Sequence, residues 1–279
     1  MFHINWLDVR PWLEYKSTAW VRPLLRRANS PWARQGTPNL LTQYFEWAKT
    51  ITVEPGKALL RHAHNVAEVW YVQDGWGEVE VGGKARPVKP RDLVAIPPEL
   101  PHSLKNPRTG EGITVVSWAV ANPPDNTDLW LEEIRAGEGK KAEELHVFHW
   151  PEQSNPTRGH MDTVWWYGML NRSHQKDWPC FHGVGMMIVP AGAPNDLHLH
   201  NYEIFYYIDR GEGTMRVADE TCEVRTCSMG YVPANTPHSI VSRFPDIQIN
   251  VLCVMVRVPH DAPKVNLYSV GEGGRFPNR

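Results

Sequence analysis

Two sets of residues in this chain have the types and spacing of metal ligands. His62-Ala63-His64 and His198-Leu199-His200 each place imidazoles at positions i and i+2, and Pro101-His102 and Pro237-His238 supply a third from further along. In an extended strand, residues i and i+2 face the same side, so each pair aims into one cavity. A carboxylate follows each pair, Glu68 in the first set and Glu203 in the second. Three imidazoles and a carboxylate neutralise part of a divalent charge and leave positions in a six-coordinate shell for water or substrate. Imidazole suits Fe, Mn, Ni, Cu and Zn alike. A lone strand histidine is usually structural, but six at repeated spacing are not alone. His146 and His149 read as surface residues, and His160, His174 and His182 lack a repeat partner.

The elements that must position these ligands are themselves repeated. Val53-Glu54-Pro55-Gly56 through His62-Ala63-His64-Asn65 recurs as Val189-Pro190-Ala191-Gly192 through His198-Leu199-His200-Asn201, 136 residues on, from position 62 to position 198. The same offset carries Tyr71 onto Tyr207, Gly75 onto Gly211, Gly77 onto Gly213, Val81 onto Val217, Pro97 onto Pro233 and Pro101-His102-Ser103 onto Pro237-His238-Ser239. Both copies alternate apolar and polar residues in short runs punctuated by Gly and Pro, the pattern of an antiparallel sheet with tight turns. The expected fold is all-β, with copies at 40–120 and 178–257. Residues 1–39, rich in Trp, Pro and Arg, read as an arm covering a neighbouring surface. In the connector at 121–177, Leu129–Ile134 and Lys140–Leu145 read as two short helices around a Gly-containing break. Residues 258–279 read as a loose tail whose glycines lack a phosphate loop's context.

A length of 279 residues suits two domains. A formal charge of -2 with 22% charged residues offers no basic field to nucleic acid, which leaves small molecules as the expected partners. Asp8 and Arg10 interrupt the first residues, and no apolar run reaches 18, so a cytoplasmic protein without membrane association is expected. Cys180, Cys222, Cys227 and Cys253 are expected as free thiols. The apolar surface of the arm suggests a homo-oligomer, most simply a dimer.

These residues resemble the cupin superfamily, and their doubling resembles a bicupin. The first cupin motif, G-x5-HxH-x3-E-x6-G, is matched by Gly56, His62, His64, Glu68 and Gly75. The second, G-x5-PxG-x2-H-x3-N, is matched by Pro97, His102 and Asn106, with Arg91 and Glu99 where its glycines would stand. The second copy matches Gly192, His198, His200, Gly211, Pro233 and His238, with Asn235 for a glycine and Ser242 for the asparagine. The resemblance implies two double-stranded β-helix barrels. One departure concerns the second carboxylate. The offset aligns Glu68 with Ile204, and Glu203 falls one place early. Such a slip turns a strand side chain to the other face. The expectation is that a shortened turn re-registers Glu203 into the cavity, since a buried carboxylate facing away would need another partner; the alternative is a site of histidines only.

Other residues are weighed by strand parity. Trp70 shares parity with Glu68 and is expected to face the cavity; Phe205 and Tyr207 have that relation to Glu203. Glu99, in the turn before His102, is a candidate acid or base, and a loop-capping role explains it equally well. Arg61 and Lys105 have the wrong parity to enter the first site, and with Lys57, Lys89 and Arg91 read as a solvated face. The resemblance implies a metal-dependent enzyme, with a dioxygenase acting on a small aromatic or enolic compound through Fe(II) as the leading expectation. Alternatives are a redox-neutral lyase, decarboxylase, isomerase or hydrolase, or a non-catalytic metabolite-binding cupin. The first barrel is expected to be reactive, because its ligand motif is complete in register.

Overall fold

The computed structural model describes all residues except 1, 28–38, 41, 43, 122–125, 127, 153–155, 160–162, 172–173, 175–177, 179, 193–194, 257–267 and 270–279. The chain divides into two compact units, one of residues 9–151 with 176–180, the other of residues 1–8, 152–175 and 181–279. Among the described residues no helix is long and apolar enough to cross a membrane.

In the first unit a long sheet runs in the spatial order His146–His149, Asp92–Ile96, Val66–Asp74, Ile113–Ala121, Phe45–Val53, Ala19–Arg27 and Trp12–Glu14. A shorter sheet runs Leu131–Glu133, His62–His64, His102–Lys105, Gly77–Val81 and Lys84–Val88. Val66–Asp74 is buried on both faces at most positions, which suits a run from Val66 to Val72 that is apolar or aromatic except at Glu68. Its Trp70 and Val72 join Ile51, Val53, Val79, Val81, Val94 and Ile96 in the barrel core. The second unit repeats the plan: Ser228–Val232, Ile204–Arg210, Ile249–Val256 and Phe181–Val189 are neighbours in one sheet, and Glu212–Val217, His238–Ser242 and His198–Leu199 in the other.

Backbone conformation repeats as faithfully as the residues. Gly75 and Gly211 have φ of 80° and 101°, and a Cβ on either would meet a carbonyl oxygen at 2.3 Å (Gly112) or 2.7 Å (Gln248). The two turns without the expected motif glycines keep the left-handed geometry: φ is 76° at Arg91 and 71° at Cys227, and 66° at Glu99 and 58° at Asn235. The altered residues thus retain the shape of the turn, at a cost of roughly 1–2 kcal/mol for each of Arg91, Glu99 and Cys227 and less for Asn235, whose side chain tolerates that region.

Three expectations about the flanking segments are corrected. Neither connector segment read as a helix, Leu129–Ile134 or Lys140–Leu145, is helical: Leu131–Glu133 is a strand lying along His62–His64, with Leu131 opposite His64 and Glu133 opposite His62. That edge carries N–H and C=O groups that need partners, whereas a helix of six residues is too short to offset its own nucleation. Tyr268–Ser269, in the stretch expected to be a loose tail, takes the same place beside His198–Leu199. The described residues of 1–39 do not form one separate arm, since Phe2–Asn5 pairs with Ser228–Val232 in the second unit and Ala19–Arg27 pairs with Phe45–Val53 in the first. All four cysteines are free thiols.

Candidate metal centres

Each histidine set assembles on an antiparallel pair of strands. His62 lies directly opposite His102, and His198 directly opposite His238. One ligand atom from each of His62, His64 and His102 lies within 4.8 Å of the others, and the same holds for His198, His200 and His238. All six residues are buried.

Backbone carbonyls orient the first-barrel rings. Nδ1 of His62 lies 2.8 Å from the oxygen of Leu60, that of His102 2.8 Å from Leu100, and that of His64 3.1 Å from Val66. A carbonyl can only accept, so Nδ1 carries the proton and Nε2 keeps its lone pair turned to the cavity. The Nε2 of His62 is buried with no hydrogen-bond partner. Glu68 Oε2 stands 2.9 Å from His64 Nε2 and 3.5 Å from His102 Nε2. Adjacent donors around an ion with bonds of about 2.1 Å stand about 3 Å apart, so this set fits a divalent transition metal. Burial holds His62 well below the usual imidazole range, with His102 and His64 adding to the effect, and lowers His64 too. Neutral imidazole is the ligating form.

Further first-barrel residues bear on this centre. Ser117 Oγ accepts from Trp47 Nε1 at 2.9 Å and donates to Glu68 Oε1. Lys49, opposite Ser117 on the neighbouring strand and 2% exposed, lies over the Trp47 ring at 4.1 Å and donates to the Tyr15 hydroxyl at 2.5 Å. Burial lowers the Lys49 ammonium to about 8, against the pull of Glu68. Burial alone would raise Glu68, but the Lys49 charge and the adjacent His102 and His64 imidazoles hold it well below the usual carboxylate range. The Tyr15 ring packs on His62 with centroids 4.7 Å apart, in a turn where Tyr15, Lys16 and Ser17 all have positive φ. Trp70 lies edge-on to His102 at 5.4 Å, on the cavity side as its parity requires. Sequence reasoning missed Lys49, although a lysine sharing parity with Trp47, Ile51 and Val53, on the apolar face of its strand, is a readable signal.

Glu99 does not reach this centre. Its backbone N–H donates to the oxygen of His64 at 2.7 Å, while its half-exposed carboxylate pairs with Lys140. Its φ is positive, and the carboxylate is engaged with Lys140 rather than with the histidine cluster. Arg61 pairs with Glu80 at 3.0 Å and Lys105 with Glu78 at 3.5 Å, away from the ligands as parity requires. His149 meets Asp92 at 2.7 Å and His146 packs on Trp178, whereas His160 lies outside the described residues.

The second barrel departs from the first at the carboxylate. Glu203 is not re-registered: Ile204 pairs with Val232 and Met255, and its side chain joins the barrel core at the position Glu68 holds in the first copy. Glu203 faces the other side, where the Tyr231 hydroxyl donates to it at 2.6 Å and meets the need of a buried carboxylate. Phe205 and Tyr207 share that outer face; Phe205 packs on Tyr231, and Tyr207 accepts from Trp6. Tyr206 is the cavity-facing aromatic instead, with its hydroxyl 3.0 Å from His238 Nε2. The repeat offset, which carries Trp70 onto Tyr206, was the signal for it. Beside His200 lies a cavity of about 300 Å³, lined among others by Trp166, His182, Tyr202, Ile204 and Tyr206.

Two tandem β-barrels, each with a three-histidine cluster on facing strands, define a bicupin. The Cupin domain family matches residues 49–118 and 185–255, and the chain belongs to that family. An uncharacterized protein of Methanocaldococcus jannaschii is 37% identical over 67 residues, covering 24% of this chain. The chain spans about half the length of that relative, 53%. Among solved structures, the fold is similar to oxalate decarboxylase of Bacillus subtilis, in a structure concerned with its Mn(II) centres. The TM-score is 0.66 and the identity 16%, over 96% of this chain and 79% of that one. It is also similar to vicilin of Corylus avellana, with a TM-score of 0.65 and 12% identity over 91% and 85% of the two chains.

Proposed function

We propose that this chain is a metal-dependent bicupin enzyme acting on a small carboxylic acid by redox-neutral chemistry, decarboxylation first, with its reactive centre in the first barrel. His62, His64, Glu68 and His102 would hold the ion. Manganese(II) takes the place of the iron(II) expected from the sequence, because the decarboxylase of similar fold is described with Mn(II) centres and a nitrogen-and-carboxylate set suits manganese equally. The observation that carries the reading is Lys49. A buried ammonium beside a centre with only one carboxylate ligand leaves excess positive charge in a dry cavity, which an anionic substrate would balance.

When bound, the ion supplies Lewis acidity toward a carboxylate or carbonyl oxygen. The chain's own residues do the rest. Lys49 binds and orients the substrate carboxylate, sharing its proton network with the Tyr15 hydroxyl. Trp70 Nε1, buried without a partner, offers a further N–H donor. Tyr15 excludes water and restricts the site to small molecules.

The test measures metal content of the purified full chain, then CO2 release and O2 uptake over a panel of dicarboxylic, keto and phenolic acids. Manganese with CO2 release and no net O2 uptake supports the reading. Stoichiometric O2 consumption would assign the dioxygenase instead, and absence of both metal and turnover would sink either enzyme. Lys49→Met is expected to keep the metal and lose about a hundredfold in turnover; unchanged turnover removes Lys49 from the mechanism.

A further inference from the structure

The cavity of the second barrel has a chemistry unlike that of the first. Its volume, about 300 Å³, stands at the low end of small-molecule sites, enough for a one- or two-ring compound. One wall is a column of rings: His182 stacks on Tyr202 with centroids 4.3 Å apart and planes 22° apart, and Tyr202 stacks on His200 at 4.5 Å and 16°. Trp166 adds an indole whose place depends on Gly185, since a Cβ there would stand 2.4 Å from its ring. Ile204, Cys253 and Met255 complete an apolar surface, and among the described residues no Lys, Arg, Asp or Glu lines the cavity. A charged ligand would lose its hydration here with no counter-charge, whereas the faces of the stacked rings suit a flat, uncharged one. The Tyr206 hydroxyl, kept protonated by burial, and Asn171 are polar groups able to orient it.

The same barrel is poorly arranged to hold a ligand through a metal. Ile204 stands where the first copy has Glu68, and the Tyr206 hydroxyl meets the inward nitrogen of His238. We propose that the second barrel is a binding site for a neutral, planar aromatic molecule, seated against the His182–Tyr202–His200 column and held without a metal ion. This site is separate from the first-barrel centre, so one chain carries two ligand sites of opposite character, one for a small anion and one for an uncharged ring. The second copy lacks the carboxylate of the first and presents a recognition surface instead, with Thr157, Gly159, Trp166, Leu170 and Asn171 contributing wall that the cupin repeat itself lacks.

The experiment is a calorimetric and fluorescence titration of the full chain with 2-naphthol, and in parallel with its anionic counterpart 2-naphthoate, each with and without EDTA. 2-Naphthol is expected to bind at one site per chain, unchanged by EDTA, and 2-naphthoate about tenfold or more weakly. Tyr202→Leu should weaken 2-naphthol about tenfold, and Tyr202→Phe, which keeps the ring column, should bind as the natural chain does. His62→Ala should leave 2-naphthol binding untouched, which separates this site from failure of the first-barrel reading. No 2-naphthol binding, equal affinity for both compounds, loss of binding in EDTA, or a Tyr202→Leu chain that binds normally would each overturn the proposal.

Discussion

Replacing Tyr206 by Phe should tighten metal binding in the second barrel. The Tyr206 hydroxyl lies 3.0 Å from His238 Nε2, while His238 Nδ1 is engaged by the oxygen of Thr236 at 2.8 Å. With Nδ1 donating to that carbonyl, Nε2 is the acceptor for the phenol and the only nitrogen of His238 left for an ion. Binding an ion there must break the bond, because one lone pair cannot serve both. Burial pushes the Tyr206 phenol well above its ordinary range, so it resists becoming a phenolate ligand in compensation. A neutral hydrogen bond contributes about 0.5–1.5 kcal/mol net. At about 1.4 kcal/mol per tenfold, its removal corresponds to roughly two- to twelvefold tighter binding. The assay is Mn(II) titration followed by electron paramagnetic resonance of the free ion, in a His62→Ala background that disables the first site. Unchanged affinity would mean that the hydroxyl does not compete. Weaker binding would make Tyr206 a ligand and refute the reasoning outright.

Three further outcomes are expected. Glu99→Gly should raise the thermal stability of the chain by about 1 kcal/mol, because glycine relieves a left-handed conformation and the exposed Lys140 pair it removes contributes little; Asn235→Gly, at the matching turn, should change almost nothing, since Asn tolerates that region. A destabilised Glu99→Gly chain would show that the ion pair outweighs the backbone. Tyr231→Phe should destabilise by about 1–3 kcal/mol through loss of its hydrogen bond to the buried Glu203 carboxylate, with second-barrel metal content unaffected; a loss of metal would return Glu203 to the ligand set. In the chelated chain, His62, His64 and Glu68 are all held below their ordinary values. The unfolded chain therefore binds protons more readily on the acid side. Their contribution to stability is present above about pH 6.5, falls first through the histidines and then, below about pH 4.5, through Glu68. Melting temperature measured against pH in EDTA should decline in that order, and a flat profile from pH 7 to 4 would contradict the burial of the cluster.

The repeated offset, read from sequence alone, carried the duplicated barrel, the pairing of His62 and His64 with His102, and that of His198 and His200 with His238. It did so because strand periodicity is local: two residues apart means the same face, and a glycine at Gly75 or Gly211 marks a place where a carbonyl leaves no room for a Cβ. The same offset carried left-handed turns through Arg91 and Glu99, where residue identity argued against them, because neighbouring strands dictate the shape of the turn. The face taken by Glu203 was decided only in three dimensions. Ile204 is locked between Val232 and Met255, and the partner that makes an outward carboxylate tolerable, Tyr231, lies on a different strand. The pairing of Leu131–Glu133 with the ligand strand, the separation of Phe2–Asn5 from Ala19–Arg27 into different units, and the ring column beside His200 were likewise beyond a linear reading. Each depends on which distant backbone edge or ring face needs a partner, and that need arises only when remote segments come together.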